Sequence, residues 1–140
     1  MRLTTTFAVL AAVLTGSLAQ QTIVSPTAGQ TISINKAFNL TYVTQRSGGF
    51  EENSIKIDVV ISNKDATFPF PGGLPFSDLT PTGTAADGSS IYSAFANPIV
   101  LDGDAVGDRL VAVVEYFNGA GGEPGLDVVF VPVTFVDSPP

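Results

Sequence analysis

Ser54-Ile55-Lys56-Ile57-Asp58-Val59-Val60-Ile61-Ser62-Asn63 is the stretch whose reading decides the fold. Ile55, Ile57, Val59 and Ile61 alternate with Lys56, Asp58, Val60 and Ser62, the period-2 pattern of a strand with one face in a core. A slip of one residue would turn that apolar set to solvent, so the register is firmly specified. The same rhythm recurs in both directions. Thr22-Ile-Val24 is stopped by Ser25-Pro-Thr-Ala-Gly29, where Pro26 removes a ladder donor and Gly29 permits positive φ. A turn or a switch between sheets belongs there. Extended structure resumes at Gln30–Ile34, turns at Asn35-Lys36, and continues in Phe38-Asn-Leu-Thr-Tyr42 with Phe38, Leu40 and Tyr42 on one face.

Toward the C-terminus, Ile91–Ala96 reads as a short strand ended near Asn97-Pro98. Arg109–Phe117 and Leu126–Val136 are long β-rich runs on either side of Asn118-Gly-Ala-Gly-Gly-Glu-Pro-Gly125, which predicts a terminal hairpin. In its first arm both alternating sets are largely apolar (Val111, Val113 and Glu115 against Leu110, Ala112 and Val114), so the inward face stays open. Asp65–Asp87, with four prolines, is expected to be irregular rather than continuous sheet. Six to eight short strands and no helical periodicity predict an all-β, immunoglobulin-like antiparallel sandwich of about seven strands.

The chain opens with the order of charge, apolar core and small residues that marks an export signal. Met1-Arg2-Leu3 precedes Phe7-Ala-Val-Leu-Ala-Ala-Val-Leu14, and Ser17-Leu18-Ala19 offers small residues for cleavage. The apolar run is shorter than the roughly 20 residues a membrane span needs. Residues 1–19 are therefore expected to be a signal peptide and 20–140 a single secreted, extracellular domain. Asp137-Ser-Pro-Pro140 is not the apolar tail of a glycolipid-anchor signal, so release without a membrane anchor is expected.

Thirteen acidic residues against six basic ones give a net charge of −7, which disfavours nucleic acid and anionic lipid as partners. With no Cys or His, thiol nucleophiles, imidazole bases and Cys/His metal sites are excluded. No cofactor is expected. The absence of Cys also denies the domain disulfides, each of which contributes about 2–4 kcal/mol elsewhere.

Thr22-Ile-Val-Ser-Pro-Thr-Ala-Gly-Gln-Thr-Ile32 and Phe38-Asn-Leu-Thr-Tyr42, behind an export signal, resemble the opening of fungal small secreted immunoglobulin-like proteins. Two groups share that look: the cell-wall assembly domain of Ser/Thr-rich anchored fungal proteins, and necrosis-inducing effectors of plant-associated fungi. The resemblance covers residues 20–45 and implies a non-enzymatic extracellular role. It carries no site residues, and the Ser/Thr-rich stalk of the wall proteins is missing.

Phe68-Pro-Phe-Pro-Gly-Gly-Leu-Pro-Phe76 is the most unusual segment. Phe68, Phe70, Leu74 and Phe76 on a Pro-stiffened loop would either bind a partner or fold back to cover an open end of the sandwich. The Asn118–Gly125 hairpin tip would extend such a contact surface. The partner would be an extracellular protein or a cell-wall polysaccharide. Asn39-Leu40-Thr41 is an N-glycosylation sequon, with Asn39 on the outward side of its strand. Asp102, Asp104 and Asp108 suggest either calcium or a tight turn; the twelfth position from Asp102 is Val113, not the Glu a calcium loop needs. Glu51 and Glu52 would be the carboxylates of a small hydrolase, but adjacent Glu residues on a Gly-containing loop are more simply solvated.

Overall fold

The computed structural model describes residues 21–47, 53–67, 72–96 and 106–137, and among them the structure is all strand and turn. Nine strands form in chain order: β1 (Thr22–Ser25), β2 (Gln30–Ser33), β3 (Phe38–Ser47), β4 (Asn53–Asn63), β5 (Gly72–Leu79), β6 (Gly83–Thr84), β7 (Ser89–Ala96), β8 (Gly107–Asn118) and β9 (Pro124–Val136). They build a four-stranded sheet in the order β1-β3-β7-β6 and a five-stranded sheet in the order β2-β9-β8-β4-β5. This is the A-B-E-D against G-F-C arrangement of an immunoglobulin-like sandwich, with β2 and β5 as additional edge strands. The count exceeds seven because the first strand divides in two, giving β2, and because β5 adds an edge strand beside β4.

The division occurs where Pro26 and Gly29 interrupt the N-terminal run. β1 pairs antiparallel with β3, whereas β2 pairs parallel with β9, so the chain changes sheets between them. Gly29 has φ 77°, and its N–H donates to the Pro132 carbonyl at 2.7 Å. The terminal hairpin forms as expected, with β8 and β9 paired from Gly107–Phe135 to Asn118–Pro124. Gly122, at φ 81°, closes its turn by donating to the Gly119 carbonyl at 2.9 Å.

Phe38, Leu40 and Tyr42 of β3 all face the core, as their alternation requires. They pack with Tyr92, Ile57, Val59, Ile61, Val111, Val113, Val133 and Phe135 from the opposing sheet and neighbouring strands. The open question of β8 is settled by register: Val111, Val113 and Glu115 lie beside Ile61, Val59 and Ile57 and point inward. Ala112 and Val114 form a second buried cluster with Val60 on the other face of the five-stranded sheet. Both faces of β8 are thus apolar, which is why alternation alone could not choose between them.

Two expectations are corrected. Ile55 is 43% exposed rather than inward, because β4 bulges between Ser54 and Lys56 against Phe117 and Tyr116. The extra residue shifts the alternation, so Ser54 takes the core position. And Asp65–Asp87 is not wholly irregular: β5 runs through Pro75 along β4, with two interruptions in register. β5 lies at the edge of its sheet, where proline's missing N–H removes no necessary ladder bond. Asp78, at φ 55°, is held in this left-handed conformation by its N–H donating to Asp58 Oδ1 at 2.8 Å.

The bulge makes a prediction about neighbours of like chemistry. Ile57→Ala should lower unfolding free energy by about 2–5 kcal/mol, whereas Ile55→Ala should change it by no more than about 0.5 kcal/mol. Urea denaturation of the two variants measures the difference.

Candidate functional site

The densest group of chemically capable side chains lies between the sheets. Tyr42 and Tyr92 are direct cross-strand partners on β3 and β7, with ring centroids 6.0 Å apart and planes tilted by 45°. Each ring crosses to the other sheet. The Tyr42 hydroxyl donates to Glu115 Oε2 on β8 at 2.7 Å, and the Tyr92 hydroxyl shares a 2.6 Å hydrogen bond with Ser54 Oγ on β4. Thr44 is buried on the same face of β3. The β4 bulge supplies Ser54 to this group, and the register of β8 supplies Glu115.

Burial pushes the Tyr92 phenol above the ordinary value of 10.0; the Ser54 hydrogen bond opposes the shift and the Glu115 charge adds to it. Tyr42, Tyr92 and Glu115 are fully buried and Ser54 nearly so. This group has no face open to a substrate, and its chemistry is that of a clasp between sheets. β3 and β8 correspond to the B and F strands that a disulfide joins in antibody domains; here a tyrosine and a glutamate join them.

A second polar group lies at the surface of β4, β5 and β8. Lys56 pairs with Asp78, and its ammonium stands 4.8 Å from the centroid of the Tyr116 ring. The Tyr116 hydroxyl donates to Asp58 Oδ2 at 3.1 Å. Hydrogen bonding to Asp78 raises the Lys56 pKa, opposed by desolvation. Burial, then the bond to Asp58, raises that of Tyr116. These groups satisfy one another and hold the left-handed bend of β5.

The residues singled out by sequence do not form one site. Phe68 and Phe70 lie outside the described residues, as does the Leu74 side chain. Phe76 is half-buried, opposite Val59, and packs on the main core, so at this position the segment covers the sandwich. Asn63 of β4 pairs with Arg109, while Asn53 pairs with Asn118. The end of β4 and the start of β5 therefore lie at the opposite end of the five-stranded sheet from the tip after β8.

Asp102 and Asp104 lie outside the described residues, as do Glu51, Glu52 and the signal segment 1–19. Asp108 accepts from Thr134 Oγ1 at 3.0 Å and lies 3.7 Å from Lys64 Nζ, beside an open hollow lined by Asn63, Asp65, Ala66 and Arg109. Among the described residues no group of three or more His, Cys, Asp or Glu side chains is placed to hold a metal ion. Asn39 is exposed on the outer face of β3, as expected.

Sequence reasoning missed the clasp. Its one signal was Glu115, an isolated acid in an otherwise apolar run. It also passed over the outer face of β9, where Leu126 and Phe130 are 42% and 54% exposed.

No protein-family model and no curated protein matches the chain. Solved structures similar to it include CopC from Methylosinus trichosporium OB3b, at 16% identity over 85% of this chain and 98% of that one, with a TM-score of 0.42. Another is murine CRIg, at 6% identity over 84% of this chain and 99% of that one, with a TM-score of 0.46. Likenesses this distant say nothing of function.

Two predictions follow from the clasp. Tyr42→Phe should lower unfolding free energy by about 1–3 kcal/mol, the range for removing a partner from a buried polar group, with the fold retained by circular dichroism. Because the folded phenol of Tyr92 titrates above its unfolded value of 10.0, its contribution is complete below that pH and is lost as pH rises through the folded value. Stability should therefore fall on the alkaline side of pH 10, less steeply in Tyr92→Phe, as thermal denaturation across that range would record.

Proposed function

We propose that residues 20–140 act as an exported, non-catalytic binding domain that docks a protein partner on the outer face of the five-stranded sheet. The observation that carries the reading is the outward row Leu126, Val128, Phe130 and Pro132 along β9, set beside the apolar outer row of β8. Large apolar side chains grouped on one face are what an interface core uses. The acidic balance of the chain favours a partner whose rim is basic. The export-type N-terminus and the resemblance to fungal small secreted proteins support an extracellular setting. The clasp supports a non-catalytic role, since its carboxylate and hydroxyls are sealed from solvent.

Polysaccharide binding has less support. Tyr42 and Tyr92 are buried, and Tyr116 is engaged by Lys56 and Asp58, so these rings offer no open stacking platform.

The test is affinity capture from culture medium and host extract with wild type, Leu126→Ser/Phe130→Ser and Phe76→Ser as baits. The β9 double variant should lose the captured protein while keeping the wild-type melting temperature. Phe76→Ser should melt earlier, because its ring packs on the core. Retention of the partner by the double variant, or capture on insoluble β-glucan or chitin alone, would overturn the reading.

A further inference from the structure

The most exposed large apolar side chain among those described is Phe95, at 76%, on the outer face of the four-stranded sheet and away from the β9 surface. Its direct cross-strand neighbour is Asn39, the acceptor of the Asn39-Leu40-Thr41 sequon. Side chains directly opposite in an antiparallel pair have Cβ atoms about 4.5–5.5 Å apart. The ring and the amide therefore stand side by side on one face. Asn39 Nδ2 donates to Thr41 Oγ1 at 3.3 Å, which lays the amide along that face, and the Asn39 carbonyl accepts from Ser25 Oγ at 2.8 Å, which fixes the backbone beneath it. β6 pairs with β7 only at Ser90 and Ile91, so no described strand flanks Phe95 on its far side.

We propose that Asn39 carries an N-linked glycan whose first N-acetylglucosamine lies against the Phe95 ring. In the transfer step the Asn39 amide nitrogen forms a bond to C1 of that sugar in a polyprenyl-diphosphate-linked oligosaccharide. The C1–O bond to the diphosphate breaks, its electron pair leaves with the diphosphate, and one amide proton passes to a base. A pyranose presents an apolar face of C–H groups, which suits the electron-rich face of an aromatic ring. Sugar and ring thereby remove apolar surface from water, in a chain with no disulfide to restrain it. The register pairs the ring with the acceptor of an N-glycosylation sequon, which gives an exposed phenylalanine a covering group without a partner protein.

The inference rests on export, and its test separates the two. The full chain is expressed in a eukaryotic secretion host, and intact mass is measured on the secreted protein, on Asn39→Gln and on Thr41→Ala. The wild type should carry a glycan mass that an amidase removes and that both variants lack. Trimming to a single N-acetylglucosamine should leave the melting temperature unchanged, and complete removal should lower it. In Phe95→Ser neither treatment should matter. A nuclear Overhauser contact between the Phe95 ring protons and the first sugar, read on the wild type, checks the stack without a variant. Secreted protein without glycan mass overturns this inference alone, and failure to reach the medium overturns export with it. A glycan whose removal has the same effect with and without Phe95, or one with no contact to the ring, overturns the stack.

Discussion

The hydrogen bond from Tyr42 to Glu115 is the constraint around which this sandwich is organised. Two sheets packed through apolar side chains alone can slide, because the hydrophobic effect has no direction. A hydrogen bond of 2.7 Å between the central strands of the two sheets admits one arrangement. The second bond, Ser54 to Tyr92, ties the same tyrosine pair to β4. The described residues thus supply these two polar ties across the core where antibody domains have a disulfide. A buried hydrogen bond contributes about 0.5–1.5 kcal/mol net, so two of them together approach the lower range for a disulfide of about 2–4 kcal/mol.

The clasp also accounts for features that look like irregularities. The β4 bulge sets Ile55 outward, against its chemistry, yet it is the bulge that brings Ser54 under Tyr92. Glu115 interrupts an apolar strand because its place is beside Tyr42. Tyr42 and Tyr92 bury their rings in the core and spend their hydroxyls on the opposite sheet, as amphipathic aromatics do when fully enclosed. Groups of this kind in a cleft would suggest catalysis; enclosed, they specify how the sheets meet.

The sequence was most legible where a single face is buried. Phe38, Leu40 and Tyr42 alternate cleanly, and the structure buries all three. Pro26–Gly29 was readable as a turn or a sheet switch because proline removes a ladder donor and glycine admits positive φ. Legibility failed where local pattern and tertiary context part. In β8 both faces are buried, so alternation loses its meaning. In β4 the bulge displaces the phase by one residue, and no residue type announces it. β5 tolerates Pro75 because it lies at an edge, a property of sheet order that composition does not contain. Phe76 was open between partner binding and cover for a similar reason: only its place opposite Val59 on the edge strand shows that its ring packs on the core. The pairing of Asn39 with Phe95 is likewise a matter of register, since 56 positions separate them in sequence.

A double-mutant cycle on Tyr42→Phe and Glu115→Gln, followed by urea denaturation, tests the clasp most directly. If the pair ties the sheets, the two substitutions will be strongly non-additive, with a coupling of about 0.5–3 kcal/mol. Additivity within about 0.3 kcal/mol would contradict the account, leaving the sheets held by apolar packing alone.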